Sequence, residues 1–319
     1  MSHEVENMAY VGAAPWHGLG NLLAPHQPIE VWAKQAGMAF SILEAPVSYA
    51  AKVPAGPARM MGFPSQKVLY RSDSRAPLSV VSDRYQVVQP DEILEFYRDL
   101  TELSGFELET AGVLREGRKL FALAKTGQSG SLKGSDAMRG YLLLATACDG
   151  TLATTAQFTS IRVVCANTLA IALNDGAGVV KVPHSTKFDA QTVKKRLGIS
   201  ESSFDSFMYR MKMLSERKVK PHEATTYFLH VLKNGIEPTA KSGQERALKA
   251  VQALYEGGGK GADLASASGT AFGLVNAVTE FVDHRRRARS TDHRMDSAFF
   301  GQGATLKQKA LDQALMMVS

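Results

Sequence analysis

Four arginines fill the five positions 285–289 (Arg285, Arg286, Arg287 and Arg289), directly after His284 and with Asp283 as the one acid beside them. Guanidinium forks meet phosphate oxygens two at a time, so this run is the best candidate in the chain for contact with a polyanion. The same cations also suit the C-terminal end of a helix, where they relieve exposed carbonyls. Weaker basic clusters precede it at Lys194, Lys195 and Arg196 and at Arg217, Lys218 and Lys220. Lys260 sits in the glycine run Glu256-Gly257-Gly258-Gly259-Lys260-Gly261. A phosphate loop needs a preceding strand and a Ser or Thr after the Lys, whereas this run follows a helical pattern and has Gly261 there. A mobile connection between helices is expected, with phosphate contact still open to Lys260.

Just upstream, Asn276, Glu280, Asp283 and Arg287 fall on one stripe of an otherwise apolar helical pattern, and His284 lies beside it. Facing a cleft, such carboxylates and a His could hold a divalent ion or move protons. The plainer expectation is a solvated stripe laced by Asp283–Arg287 and Glu280–His284 pairs. Trp16 and His17, on a glycine-flanked loop, could stack a base, or the Trp could plug the core under an N-terminal arm. Cys148 and Cys165 have no second pair, which argues against a zinc module or disulfide framework and for buried thiols. No Gly-x-Ser-x-Gly, His-Glu-x-x-His or strand-led Gly-x-Gly-x-x-Gly occurs. No enzyme class is legible, and no cofactor or metal is expected.

The elements that must position these residues read as an α+β fold: an antiparallel sheet with packed helices up to about residue 180, then a basic, mainly helical part over 181–319, possible as one packed unit with the first. The opening residues form an irregular arm leading to a short helix near 29–37. Strands are expected near 40–50, 67–71 and 78–88, with the Pro/Gly-rich stretch 52–66 as a loop. Pro90 and the spacing of Ile93, Phe96, Tyr97 and Leu100 predict a helix over 91–104. Strands follow at 106–115, 118–125, 138–147 and 152–159, the middle pair joined by a Gly/Ser-rich loop at 127–135 and the last pair by a turn at Asp149-Gly150. Ile161–Leu173 reads as a helix after the meander. Further helices are expected near 189–197, 202–217, 221–234, 242–256, 270–288 and 304–317. Phe204, Phe207, Met208, Met211 and Leu214 make a core stripe on the second of these.

Composition sharpens the partner question. Across 319 residues, 45% are hydrophobic and 21% charged, which is ordinary globular usage. The charge is uneven: residues 1–180 hold 15 Lys/Arg against 17 Asp/Glu, and 181–319 hold 22 against 14. Such asymmetry suggests an anionic partner, nucleic acid first, with a solvated helical surface as the bland alternative. The N-terminus has no basic patch followed by an apolar run, and no segment approaches a membrane span, so a cytoplasmic protein without a membrane partner is expected.

Several segments resemble one known family: Pro15-Trp16-His17-Gly18-Leu19-Gly20, Val80-Val81-Ser82-Asp83-Arg84-Tyr85-Gln86-Val87-Val88-Gln89-Pro90, Arg162-Val163-Val164-Cys165-Ala166-Asn167-Thr168-Leu169 and Asn276-Ala277-Val278-Thr279-Glu280-Phe281-Val282-Asp283-His284. Together they are similar to phage/plasmid-like proteins carrying the domain of unknown function numbered 932. The resemblance implies a mobile genetic element rather than a reaction. The strand-meander-then-helix order of 106–173 resembles, in topology alone, Rad52-type single-strand annealing proteins, which implies an oligomeric protein with a basic DNA groove. The leading expectation is therefore a non-enzymatic nucleic-acid-binding protein, single-stranded DNA first, acting in recombination or annealing and possible as a homo-oligomer. A non-enzymatic interaction protein that inhibits or scaffolds a host factor, as an anti-defence element, is the alternative, and a hydrolase or nucleotide-acting enzyme using Glu280, Asp283 and His284 is a third reading.

Overall fold

The computed structural model describes residues 8–12, 20–54, 56–104, 106–164, 167–170, 179–197, 201–233 and 241–318. Trp16, His17 and Cys165 lie outside them.

The chain begins with β1 (Met8–Val11) and β2 (Asn21–Leu23), then α1 (Ile29–Gln35). A small antiparallel sheet follows, ordered β3 (Ile42–Val53), β4 (Gly56–Arg71), β5 (Pro77–Ser82). Helix α2 (Pro90–Ser104) starts with Pro90, and the Glu92 carboxylate accepts the Gln89 N–H at 2.7 Å, supplying the N-terminal partner the helix cannot provide itself. The Gln89 side chain also brackets Ile42, accepting its N–H at 2.8 Å and donating to its carbonyl at 3.0 Å, which ties the small sheet to the helix.

The main sheet adds β6 (Glu107–Leu114), β7 (Lys119–Leu132), β8 (Asp136–Ala147), β9 (Thr154–Arg162), β10 (Asn167–Ala170) and β11 (Val179–Val182). Its order is β10-β9-β8-β7-β6-β1-β2, with β11 on the same edge of β9 as β10; all pairings are antiparallel except β1 with β2. Central strands carry apolar residues on both faces because both faces are covered. Leu120, Ala122, Leu142, Leu144 and Phe158 join a core with α2 and the later helices. Phe121, Leu123, Tyr141 and Leu143 pack on the opposite face with Met295, Phe299 and Phe300.

Those last residues belong to the helical part: α3 (Ala190–Leu197), α4 (Glu201–Glu216), α5 (Pro221–Leu232), α6 (Lys241–Ala253), α7 (Ala271–Glu280), α8 (Thr291–Phe300) and α9 (Gln302–Leu315). Phe204, Phe207, Met211 and Leu214 of α4 are buried and Met208 packs against them, as the stripe predicts. Cys148 is a buried thiol, pushed up to about 12 chiefly by burial. The protein is thus a mixed α+β fold, strand-rich first and more helical later, and no described helix is long and apolar enough to cross a membrane.

Several expectations are corrected. The stretch 52–66 is mostly strand: β3 and β4 form one long hairpin in which Val47 faces Phe63 and Tyr49 faces Met61. The prolines there suggest a loop, but before Gln66 β4 has no β5 beside it, and a strand edge without a neighbour tolerates a missing N–H donor. The expected loop at 127–135 is also strand as far as Leu132, with the turn compressed to 133–135 and a register shift between Lys125 and Ser129. The helix expected over Ile161–Leu173 is absent from its described part, where β9 ends at Arg162 and β10 pairs back onto Thr159–Arg162. A short apolar run fits both periods, and tertiary pairing decided it. The expected 270–288 helix ends regular geometry at Glu280, makes one wide turn through Arg285 and leaves in an extended conformation at Arg286. Helix α8 went unpredicted, although Ser290 accepts the His293 N–H at its N-cap and supplied a readable start signal.

Candidate nucleic-acid interface

Helix α7 is apolar nearly all round, so it is buried through the middle of the helical part, and every polar group on it or just beyond must find a partner. Asp283, 1% exposed, accepts the Thr168 N–H at 2.9 Å and pairs with Lys307 Nζ of α9 at 2.8 Å. Lys307 Nζ also lies 2.6 Å from Thr168 Oγ1. Glu280 accepts the Lys260 N–H at 2.9 Å. His284 Nε2 lies 3.1 Å from Asn167 Oδ1, and Asn276 Nδ2 donates to the Phe272 carbonyl at 2.8 Å. The two acids of the stripe are therefore interior rather than solvated, with Asn276 and His284 half-buried and Arg287 exposed, and they bond to Lys307 and the Lys260 amide instead of Arg287 and His284. Spent in this way, Glu280 and Asp283 do not offer the open, cleft-facing carboxylates that acid/base chemistry needs. Among the described residues there is no group of three or more His, Cys, Asp or Glu placed to hold a metal.

Three side chains outside the expected site, Arg162, Asp136 and Ser266, complete this layer. Arg162, only 2% exposed, grips Asp136 through Nε at 2.8 Å and Nη2 at 2.7 Å, and donates to the Gly261 carbonyl at 2.9 Å. Its guanidinium carbon stands 5.2 Å over the Phe272 ring. Ser266 Oγ donates to Asp136 at 2.5 Å. The glycine run is thus a strap sewn to the end of the sheet rather than a free linker. The one legible hint was an arginine inside the apolar run Ile161-Arg162-Val163-Val164, a charge that a buried strand end keeps only when it is paired.

The strap presents Lys260 to solvent on the side where α7 ends. Burial raises the Glu280 carboxyl above its ordinary value, against the Lys260 N–H bond and the positive charges of Arg285, Lys260 and Arg162, which pull the other way. Arg285, Arg287 and Arg289 are exposed, and among the described residues none of them pairs with a carboxylate. Arg286 is half-buried and donates to Gln302 at 3.0 Å.

The other basic clusters lie elsewhere. Arg217 is paired with Glu223 at 2.7 Å and donates to the Met317 carbonyl at 3.2 Å. Its bond holds the Glu223 carboxyl below the ordinary range. Lys218 Nζ reaches the Ser268 carbonyl at 3.4 Å, and the Lys220 N–H meets Glu223 at the start of α5. Lys218 also bridges Thr270, at the opposite end of α7 from Arg285, a ten-residue helix of about 15 Å away. Lys194, Lys195 and Arg196 belong to α3, which packs on β11 and β9, with Lys195 and Arg196 exposed. Lys260 thus sits at the end of α7 from which the arginine run follows, and the Lys218 cluster at the opposite end of that helix.

No match was found among curated proteins or solved structures, and the helix that carried the Rad52-type likeness is the β9–β10 pairing, so that likeness gains no support. A family model does match, over residues 77–299, which includes both polar motifs that meet around Asn167, Asp283 and His284. The chain therefore belongs to the family described as the domain of unknown function DUF932.

Proposed function

We propose that the protein binds nucleic acid without catalysis, single-stranded DNA first, in the recombination or annealing steps of a phage or plasmid. One observation carries the reading: Lys260, whose N–H bonds to Glu280 at the end of α7, and Arg285, Arg287 and Arg289 just beyond that end are all exposed, while the acids Glu280 and Asp283 are buried and engaged. That patch keeps its positive charge outward. Phosphate contacts of this kind release counterions, so affinity falls steeply with salt.

The test is binding of a labelled oligothymidylate as a function of salt concentration. Arg285→Ala/Arg287→Ala/Arg289→Ala, which leaves the Arg286–Gln302 contact in place, should lower the slope of log K against log salt by up to about 2, at roughly 0.7 per phosphate on a single strand. Wild-type protein that fails to bind at low salt ends the proposal.

A further inference from the structure

We infer that the β3–β4 hairpin is an arm that grips single-stranded nucleic acid, stacking two bases on Tyr49 and Phe63 while Arg59 meets a neighbouring phosphate; this deepens the nucleic-acid reading and rests on it. Past Gln66 the hairpin leaves the body, because β5 pairs with β4 only from Gln66 to Tyr70. No residue described from 46 to 66 is buried. Five of the thirteen large hydrophobics exposed among the described residues lie on it: Tyr49, Val53, Met60, Met61 and Phe63. A two-stranded hairpin is marginal in water by itself, and a cluster of exposed apolar side chains marks a surface made to be covered.

Charge and register favour a nucleic-acid occupant. From 45 to 66 the chain carries Lys52 and Arg59 and no Asp or Glu. The pairs Val47–Phe63, Tyr49–Met61 and Ala51–Arg59 alternate onto one face, so an aromatic ring, a second ring and a guanidinium follow each other along it. Tyr49 is 52% and Phe63 43% exposed. Successive pairs on one face stand about 7 Å apart, two residues at roughly 3.4 Å each. That is about twice the 3.4 Å rise per nucleotide along a duplex strand, the spacing an unstacked, extended strand offers. A duplex hides its base faces, so such rings reward unpaired bases. Pro46, Pro57 and Pro64 remove N–H donors from the strands and oppose docking by strand addition, which leaves the faces as the working surfaces.

The experiment uses the full chain and labelled oligothymidylate at low salt. Tyr49→Ala/Phe63→Ala should weaken binding by at least about tenfold, from loss of stacking, with little change in salt slope. Tyr49→Trp/Phe63→Trp should restore it, and Arg59→Ala should lower the slope by about 0.7. Unchanged melting temperatures are expected, since the arm contributes nothing to the core. If wild type binds and the double alanine variant binds equally well, the arm is not the grip, and the patch at Lys260 and Arg285 stands alone. If wild type does not bind at all, the nucleic-acid reading falls and takes the arm with it. If the alanine variant keeps DNA affinity but loses concentration-dependent self-association in sedimentation, the face belongs to a second copy of the chain and the inference is overturned.

Discussion

Lys307→Met tests the view that the interior polar layer is held by charge pairing. Lys307 and Asp283 side chains are 5% and 1% exposed and 2.8 Å apart, so removing the ammonium strands a carboxylate away from water. Breaking a buried pair on one side costs about 3–5 kcal/mol. With unfolding entropy near 2.1 cal/mol/K per residue over 319 residues, a cooperative transition should move down by roughly 4–8 °C. Asp283→Asn/Lys307→Met supplies the decisive comparison. The introduced amide keeps an acceptor for the Thr168 N–H, and no charge is left unpaired, so the double variant should recover to within about 1–2 kcal/mol of wild type. Differential scanning calorimetry of the three proteins reads both values. A single variant within about 1 °C of wild type, or a double variant no better than the single, refutes the pairing account.

Two further outcomes follow from the same interior. Burial raises the Glu280 carboxyl, so in the window from its unfolded value up to its native one the folded state holds a proton that the unfolded chain has released. Stability from this group is present at low pH and lost as pH rises through that window; Glu280→Gln, which can still accept the Lys260 N–H, should flatten the dependence of melting temperature on pH there, and an unchanged slope contradicts it. Gly273→Ala should destabilise by about 2 kcal/mol or more in urea denaturation, because a Cβ there would lie 2.1 Å from the Ala267 carbonyl oxygen, a backbone atom with no room to yield.

The sequence alone determined the elements whose signals are local. Pro90 and the Ile93–Phe96–Tyr97 spacing announced α2, the β6–β9 strands showed themselves as apolar runs between turns, and the arginine run was plain in its composition. The DUF932 motifs were legible too, though not what they touch. Only the tertiary structure decided that 167–170 pair back onto 159–162 as strands, that β3 and β4 run on as a hairpin through the Pro/Gly-rich stretch, and that Glu280 and Asp283 face inward. In each case the deciding partner is remote in the chain: Thr168 meets Asp283, Asp283 meets Lys307, and Arg162 meets Asp136 and the strap at Gly261. A hydrophobic period fixes which side of an element is apolar. Whether a charge beside it meets water or an opposite charge depends on which distant segment the fold lays against it, and that is not written in any local window.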